Sequence, residues 1–416
     1  MKIIVIGAGI TGVSAAEWLR RDGHAVTLID RVTPGSAEQT SYGNAGMISR
    51  SGVVPVSVPG LIWKAPGMLL DPDSPLYLRW SYLPRLMPWL VRFLWNGRRD
   101  KVVEIARGMA GLIGDAPEQH EALARGTPAG RFIRQGDYVQ LYPDRKTFEA
   151  DAFGWGLRRD HGVAWEEWDR ARLLERDPEL GPGFGFAAAI KGGAWLADPG
   201  AFVAELAGHF IREGGSFVQG EVAGITPTAD GRAAVTLTGG ARREADRVVL
   251  AAGAWSGKLA KQLGHEARME AERGYHVLLK NPSHLPPSPY AYVAAKIVAT
   301  PMDAGLRLAG VVDLGGLDGP PLKAPVEGIR KRIRQLYPNL RWEGEETWMG
   351  RRPSTVDSLP LLGPSPKAPA ILFAFGGQHL GLTMGPRLGR MTADMINGRK
   401  PNIDIAPYRV DRFDRR

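Results

Sequence analysis

MKIIVIGAGITGVSAAEWLRRDGHAVTLID, residues 1–30, decides the fold. Lys2–Ile6 is a short apolar run, Ile10–Arg21 carries helical periodicity, and Ala25–Asp30 is a second apolar run. Strand, helix, strand within about 30 residues is the size of a βαβ dinucleotide-binding unit. Gly7-Ala8-Gly9-Ile10-Thr11-Gly12 lies at its first turn. There Gly7 permits the sharp bend, Gly9 lets backbone approach a pyrophosphate, and Gly12 lets the helix pack closely on the strand. The helix N-terminus offers free N–H groups and a partial positive charge to the phosphates, with Ile10 and Thr11 in its first turn. Asp30 ends the second strand, where a carboxylate holds ribose hydroxyls and disfavours a 2′-phosphate. A glycine-rich turn in another α/β protein is the bland alternative; the surrounding strand, helix and terminal acid argue against it.

Composition narrows what else the chain can be. Its 416 residues are 44% hydrophobic, enough for a large two-domain body. Cysteine is absent, which removes disulfides, iron–sulfur clusters, thiolate zinc sites and a flavin tethered through sulfur. The first residues already read as a strand, so no secretory leader is expected. A net charge of +9 suits anionic partners, yet zinc-finger spacing, an aromatic RNA-binding run and a basic tail are all missing. Nucleic acid is therefore not expected.

Further along, Thr33–Gly67 is rich in Gly, Pro and Ser and too long for a plain connector. Within it Thr40-Ser41-Tyr42-Gly43-Asn44-Ala45-Gly46-Met47-Ile48 suits backbone running close along a flat ring, with Thr40, Ser41 and Asn44 as donors; it equally suits a flexible loop. Gln135–Leu141 and Ala187–Leu196 read as strands. Asp198-Pro199 opens a helix that Gly214-Gly215 stops. Ser216–Gln219 and Arg247–Ala252 read as strands, Ile329, Ile333 and Leu336 share a helical face, and a last helix is expected near Pro386–Asn397. Leu76–Trp95 carries three arginines, two prolines and no acid among aromatic and aliphatic residues. It is a poor spanning helix, because each central Arg costs about 2.5–3.5 kcal/mol. With Arg85, Arg92 and Arg99 seven apart, it reads as an interfacial segment on anionic lipid, or else as a core helix between domains.

At this point the chain resembles the D-amino acid oxidase/dehydrogenase family of flavoproteins, nearest to bacterial FAD-dependent D-amino acid dehydrogenases, including those acting on hydroxy-D-proline. The resemblance covers essentially the whole chain. It rests on the opening fingerprint with Asp30-Arg31, the TSYGNAGMIS segment, Trp348–Gly363 (WMGRRPSTVDSLPLLG) and Phe375–Gly389 (FGGQHLGLTMGPRLG), with Glu272-Arg273-Gly274-Tyr275-His276 as a shorter block.

The resemblance implies an α/β fold: a Rossmann-like, GR2-type FAD-binding domain (1–60, 199–270 and 345–416) and an α+β substrate domain with an antiparallel sheet (61–198 and 271–344). It implies non-covalent FAD bound by the residues named above together with Ala45, Gly46, Met47, Val222, Ala252, Gly253 and the turn Gly376, Gly377, Gln378, His379, Leu380, Gly381, Leu382 and Thr383. Arg352 matches the arginine that holds the substrate carboxylate, a planar guanidinium pairing through two parallel bonds; Arg351 is expected to face solvent. Tyr275 is expected to assist at the carboxylate and His276 to shape the side-chain pocket. Relatives often carry His where this chain has Gly377.

The implied reaction is hydride transfer from Cα of a D-amino or D-imino acid to flavin N5, giving a 2-oxo acid or a cyclic imine. Electrons then pass to a quinone or another carrier. The alternatives are an oxidase using O2 on D-amino acids, glycine or sarcosine, and a flavoprotein subunit of an amine or opine dehydrogenase. The expected location is cytoplasmic, peripheral on the inner face of the inner membrane.

Overall fold

The computed structural model describes residues 1–71 and 74–414. Lys2–Ile6, Ile10–Arg21 and Ala25–Asp30 form as the sequence predicts, and they seed a six-stranded sheet. Ser216–Gln219, Ala25–Asp30, Lys2–Ile6, Arg247–Leu250 and Ala368–Phe375 run parallel in that order, with Leu361–Ser365 antiparallel at the edge. Lys2–Ile6 lies between strands that leave it in opposite directions, so the ligand crevice is expected outside its C-terminal end. Val13, Ala16 and Leu19 pack with Leu388 and Met391 of the last helix against one face of the sheet. The meander Val222–Pro227, Ala233–Leu237 and Arg242–Ala245 shares the opposite core.

A second, nine-stranded sheet roofs the crevice. From one edge inward its strands are Gly344–Thr355, Met269–Lys280, Gly305–Leu314 and Ile297–Met302, each antiparallel to the next. Side chains alternate between its faces. Val277, Leu279, Leu306 and Leu308 turn away from the crevice, onto Ile329, Ile333 and Leu336 of the helix Ala324–Leu336. The opposite face carries Glu272, Gly274 and His276, opposite Arg352, Gly350 and Trp348 of the neighbouring strand.

Several boundaries differ from expectation. Gln135–Leu141 breaks into Ile133–Gln135 and Tyr138–Tyr142, and Ala187–Leu196 breaks into Phe186–Ile190 and Ala194–Leu196. In each pair the halves join different sheets. The last helix begins at Gly381 and not at Pro386. Pro386 cannot bond to the Leu382 carbonyl, and that oxygen instead faces His120 Nε2 at 3.1 Å. The aromatic segment holds a helix, Leu83–Trp95, whose Leu86, Trp89 and Phe93 are buried while Met87, Val91 and Trp95 are exposed. Arg99 opens the next helix, Arg99–Ile113, and stacks over Phe153, so it does not continue the face of Arg85 and Arg92.

Candidate active site

Between the two sheets lies a cavity of about 1300 Å³, larger than the roughly 300–1,000 Å³ usual for a small-molecule pocket. Its first end is the glycine turn. Gly7 adopts φ +101°, and a Cβ on Gly12 would stand 1.8 Å from the Gly7 carbonyl oxygen, so the helix is seated directly on the turn. That helix starts with no side-chain cap and no acid in its first turn, leaving its positive end toward the cavity. Gly7, Gly9, Ile10 and Thr11 line the wall. Asp30 closes the turn by accepting from the Ala8 N–H at 2.6 Å and from Gln39 Nε2 at 3.0 Å. Arg31 stacks over Trp255 at 3.9 Å, and Val222, Ala252 and Gly253 continue the same wall.

The 40–47 segment runs along the cavity, but its side chains are engaged differently from expectation. Thr40 Oγ1 donates to the Arg351 carbonyl at 2.9 Å, so its hydroxyl hydrogen is not available to a ligand. Ser41 Oγ accepts from the Ile10 N–H at 3.0 Å, and Asn44 Oδ1 accepts from Gly46 N–H at 2.9 Å. Both keep donor hydrogens. Ala45 and Met47 line the cavity; Gly46 instead lets the chain meet Leu196, whose carbonyl would lie 2.6 Å from an added Cβ.

The far wall is the Gly376–Thr383 turn, which lines the cavity throughout. The helix it feeds, Gly381–Ile396, again starts without a side-chain cap or a first-turn acid. Leu380 and Leu382 are buried there, and Thr383 Oγ1 donates to the Met47 carbonyl at 3.0 Å. Gln378 sits at φ +51°, a conformation costing a non-glycine residue about 1–3 kcal/mol, and its buried Nε2 has no partner among the described residues. Gly377 is tightly packed: a Cβ there would approach Gly381 Cα to 2.8 Å. Any side chain at this position, the expected histidine included, would require the turn to shift.

Arg352 enters from the roof. Gly274 makes room for it, since a Cβ at that position would lie 2.2 Å from Arg352 Nη2. The guanidinium pairs with Glu272 Oε1 at 2.9 Å and donates to the Val311 and Gly310 carbonyls at 2.9 and 3.3 Å. Among the described residues its Nε has no partner, which leaves Nε–H and one Nη2–H as a fork for a ligand. Glu272, itself buried, also accepts from Ser354 Oγ at 3.1 Å.

Three expected roles are corrected. Tyr275 borders the cavity, yet its side chain falls on the opposite face of the roof strand and packs with Val277 and Leu279. Its hydroxyl donates to Asp313 at 2.7 Å and accepts from the Leu322 N–H at 3.0 Å, so nothing is left for a substrate carboxylate. Burial and Asp313 push its pKa up to about 12. His276 does face the crevice domain, but Nδ1 meets the Gly43 carbonyl at 3.0 Å and the ring stacks on Trp348 at 5.2 Å. It clamps the 40–47 segment and is not part of the cavity lining. Arg351 is half-buried, donates to Leu317 and lies 5.7 Å from the Trp255 ring that Arg31 also covers. Sequence inspection missed Glu272 and Ser354; both lie in quoted blocks, yet only the strand register places them beside Arg352.

Burial, then the Arg307 charge, hold the His276 pKa down at about 3. Unfolded, the imidazole returns to about 6.5, so the unfolded chain binds the extra proton as pH falls below that value. This contribution is complete above about pH 6.5 and declines as pH drops towards 3, by about 2 kcal/mol at pH 5. Melting temperatures between pH 7 and 5 should fall less in His276→Gln than in the parent; parallel curves would contradict this.

Comparison with known proteins agrees with this geometry. The family model described as DAO, FAD dependent oxidoreductase, matches residues 2–395. A D-amino-acid oxidase of Bradyrhizobium diazoefficiens is 37% identical over 416 residues, covering 99% of this chain and 98% of that protein. A D-amino acid dehydrogenase of Granulibacter bethesdensis is 29% identical, covering 99% and 100%. Among solved structures, glycine oxidase from Geobacillus kaustophilus superposes with a TM-score of 0.73 at 22% identity, covering 99% and 98%. L-proline dehydrogenase from P. horikoshii gives 0.74 at 19%, covering 99% and 97%. The residues present fit FAD: an uncapped helix end at the glycine turn for the pyrophosphate, Asp30 at the ribose position, and the orphaned Gln378 amide in the far wall. The chain belongs to the DAO family of FAD-dependent oxidoreductases.

Proposed function

We propose that the protein is a dehydrogenase of D-amino acids or D-imino acids such as hydroxy-D-proline, passing its electrons to a quinone. The observation that carries the substrate class is Arg352, which lines the cavity together with the Gly376–Thr383 turn and keeps N–H groups with no partner among the described residues. A guanidinium fork holds a carboxylate in one orientation. Bound FAD supplies the acceptor for the hydride leaving Cα. The chain fixes the carboxylate through Arg352, encloses the reacting carbon, and directs the positive end of the Gly381–Ile396 helix at the site, where negative charge develops. The bound ammonium first gives up a proton to water, and the freed nitrogen lone pair then forms the C=N bond as hydride leaves Cα. Water then hydrolyses the released imine to a 2-oxo acid, or a cyclic imine remains.

Anaerobic addition of D- and L-amino acids, including hydroxyprolines, should bleach the flavin with the D-forms. Bleaching by L-forms alone, or by none, would refute the substrate assignment. The name of the Bradyrhizobium relative favours a second reading, an oxidase; stoichiometric peroxide during turnover in air would select it.

Support for a quinone comes from the helices Leu61–Leu70 and Leu83–Trp95. Their outer sides expose Trp63 at 85% and Trp95 at 62%, with Trp80 at 61% just before the second helix. Arg85 and Arg92 are exposed beside them, and no acid occurs from Leu76 to Arg99. Their inner sides, through Leu61, Met68, Leu90 and Phe93, line the cavity. Among the described residues no helix is long and apolar enough to cross a membrane. Aromatic and basic residues together favour an anionic lipid surface. The holoenzyme should float with anionic liposomes at low salt, and Trp63→Ser with Trp95→Ser should reduce binding about tenfold or more, at roughly 0.8 kcal/mol per buried CH2 equivalent. Equal flotation of the double variant would exclude this face.

A further inference from the structure

The roof and the far wall bring two further groups to the cavity, and neither is explained by holding a carboxylate. Glu272 is 5% exposed and lines the cavity beside Arg352. Its Oε1 takes Arg352 and its Oε2 takes Ser354, while a carboxylate accepts about four hydrogen bonds. Acceptor positions therefore remain open. His379 lines the cavity from the turn opposite. Its ring has no hydrogen-bond partner among the described residues, and its nitrogens are not among the sealed polar atoms.

We infer that Glu272 and His379 form an amine subsite, accepting the N–H groups of the substrate nitrogen while Arg352 holds its carboxylate. This rests on the proposed amino-acid chemistry and deepens it. An amino acid arrives as a zwitterion, and Arg352 with Glu272 presents the complementary pair of charges. The charged groups that reach His379 are Glu272 and Arg352 on the two roof strands and Lys296 on the turn before Ile297–Met302. Enclosure by protein, opposed by Glu272 and reinforced by Arg352 and Lys296, holds its pKa at about 4. The imidazole is thus neutral at neutral pH and keeps one nitrogen as an acceptor. A 2-hydroxy acid offers one O–H and no positive charge, so it leaves Glu272 unmatched. Primary amines and cyclic secondary amines both satisfy the subsite, each having at least two N–H bonds when protonated.

The test uses two ligands of one shape without a Cα–H, so that neither is oxidised: 2-aminoisobutyrate and 2-hydroxyisobutyrate. Each is titrated into the oxidised holoenzyme, and its dissociation constant is read from the flavin absorbance. The parent protein should prefer the amine by about tenfold or more, the scale of a lost charged hydrogen bond. Glu272→Gln retains a partner for Arg352 and Ser354 and should bring the ratio within about threefold of one, with the hydroxy acid binding nearly unchanged. His379→Asn should lower the ratio by a smaller factor. A parent ratio near one overturns the inference, as does a ratio that survives in both variants. Equal weakening of both ligands in Glu272→Gln assigns Glu272 to bracing Arg352 alone, and also overturns it. His379→Asn keeps the test open should Glu272→Gln fail to retain FAD. Failure of the underlying function looks different: the flavin would not bleach with any amino acid.

Discussion

Arg352→Ala is expected to raise KM for D-amino acids by about 100- to 1,000-fold while the flavin spectrum stays intact. Truncating one member of a buried, hydrogen-bonded charge pair costs about 2–5 kcal/mol, and each 1.4 kcal/mol is tenfold. The carboxylate does not change charge during hydride transfer, so its contact is nearly the same in ground and transition state. Such uniform binding appears in KM more than in kcat. The same substitution strands Glu272 (7% side-chain exposure) without its cation, and an unpaired buried charge destabilises by about 3–5 kcal/mol. A lower melting temperature is therefore expected as well, and it must be separated from the binding effect. Arg352→Met with Glu272→Gln removes both charges: stability should largely recover, and the weakened KM should not. Arg352→Lys should fall between, since an ammonium keeps the charge and loses the planar fork. Near-normal KM in Arg352→Ala, read from initial rates with a dye acceptor, would remove Arg352 from the site.

What could be foreseen from the sequence divides along physical lines. Lys2–Ile6, Ile10–Arg21, Ala25–Asp30 and Ser216–Gln219 appear with the expected bounds because local pattern and local contacts agree there. The helix at Pro199 was equally legible, its Asp198 carboxylate accepting from the Ala201 N–H at 2.9 Å. The expected strands break at Gly136-Asp137 and at Lys191-Gly192-Gly193, short polar and glycine turns inside otherwise strand-like stretches; there the chain changes sheet, an event no periodicity records. Tyr275 was misassigned for a related reason. It adjoins Gly274, and a one-residue difference along a strand selects the other face. A register irregularity between Arg273 and Tyr275 makes the parity harder still to read. Arg352 was accessible from its block of sequence, whereas its partner Glu272 lies 80 residues away and becomes visible only through cross-strand pairing.

Gly12→Ala should be the most damaging single methyl group in the chain, yielding a colourless, poorly folded protein. Its Cβ would fall 1.8 Å from the Gly7 carbonyl oxygen and 2.9 Å from the carbonyl carbon, both main-chain atoms of a turn fixed at φ +101°. No rotamer change relieves such a contact. Either the helix lifts from the strand or the turn unfolds, and both move the N–H groups that face the cavity. Overpacking alone costs about 1–3 kcal/mol, occasionally more; here the displaced element also carries the cofactor site, so ligand-linked stability is lost with it. FAD affinity should fall at least about 100-fold, equivalent to some 2.7 kcal/mol of linked stability. Gly9→Ala is the informative contrast, because its Cβ meets only Ser41 Oγ, at 3.3 Å. A hydroxyl can give by a few tenths of an ångström, so this variant should fold and remain yellow unless the methyl meets the pyrophosphate itself. Gly23→Ala, with φ +84° and no atom within 4 Å of its Cβ, controls for backbone strain without collision. FAD retention in the order Gly23→Ala, Gly9→Ala, Gly12→Ala, measured by flavin absorbance after desalting, follows from close approach as the decisive property. If Gly12→Ala retained FAD as well as Gly23→Ala, the seating of this helix on the turn would not be what builds the cofactor site.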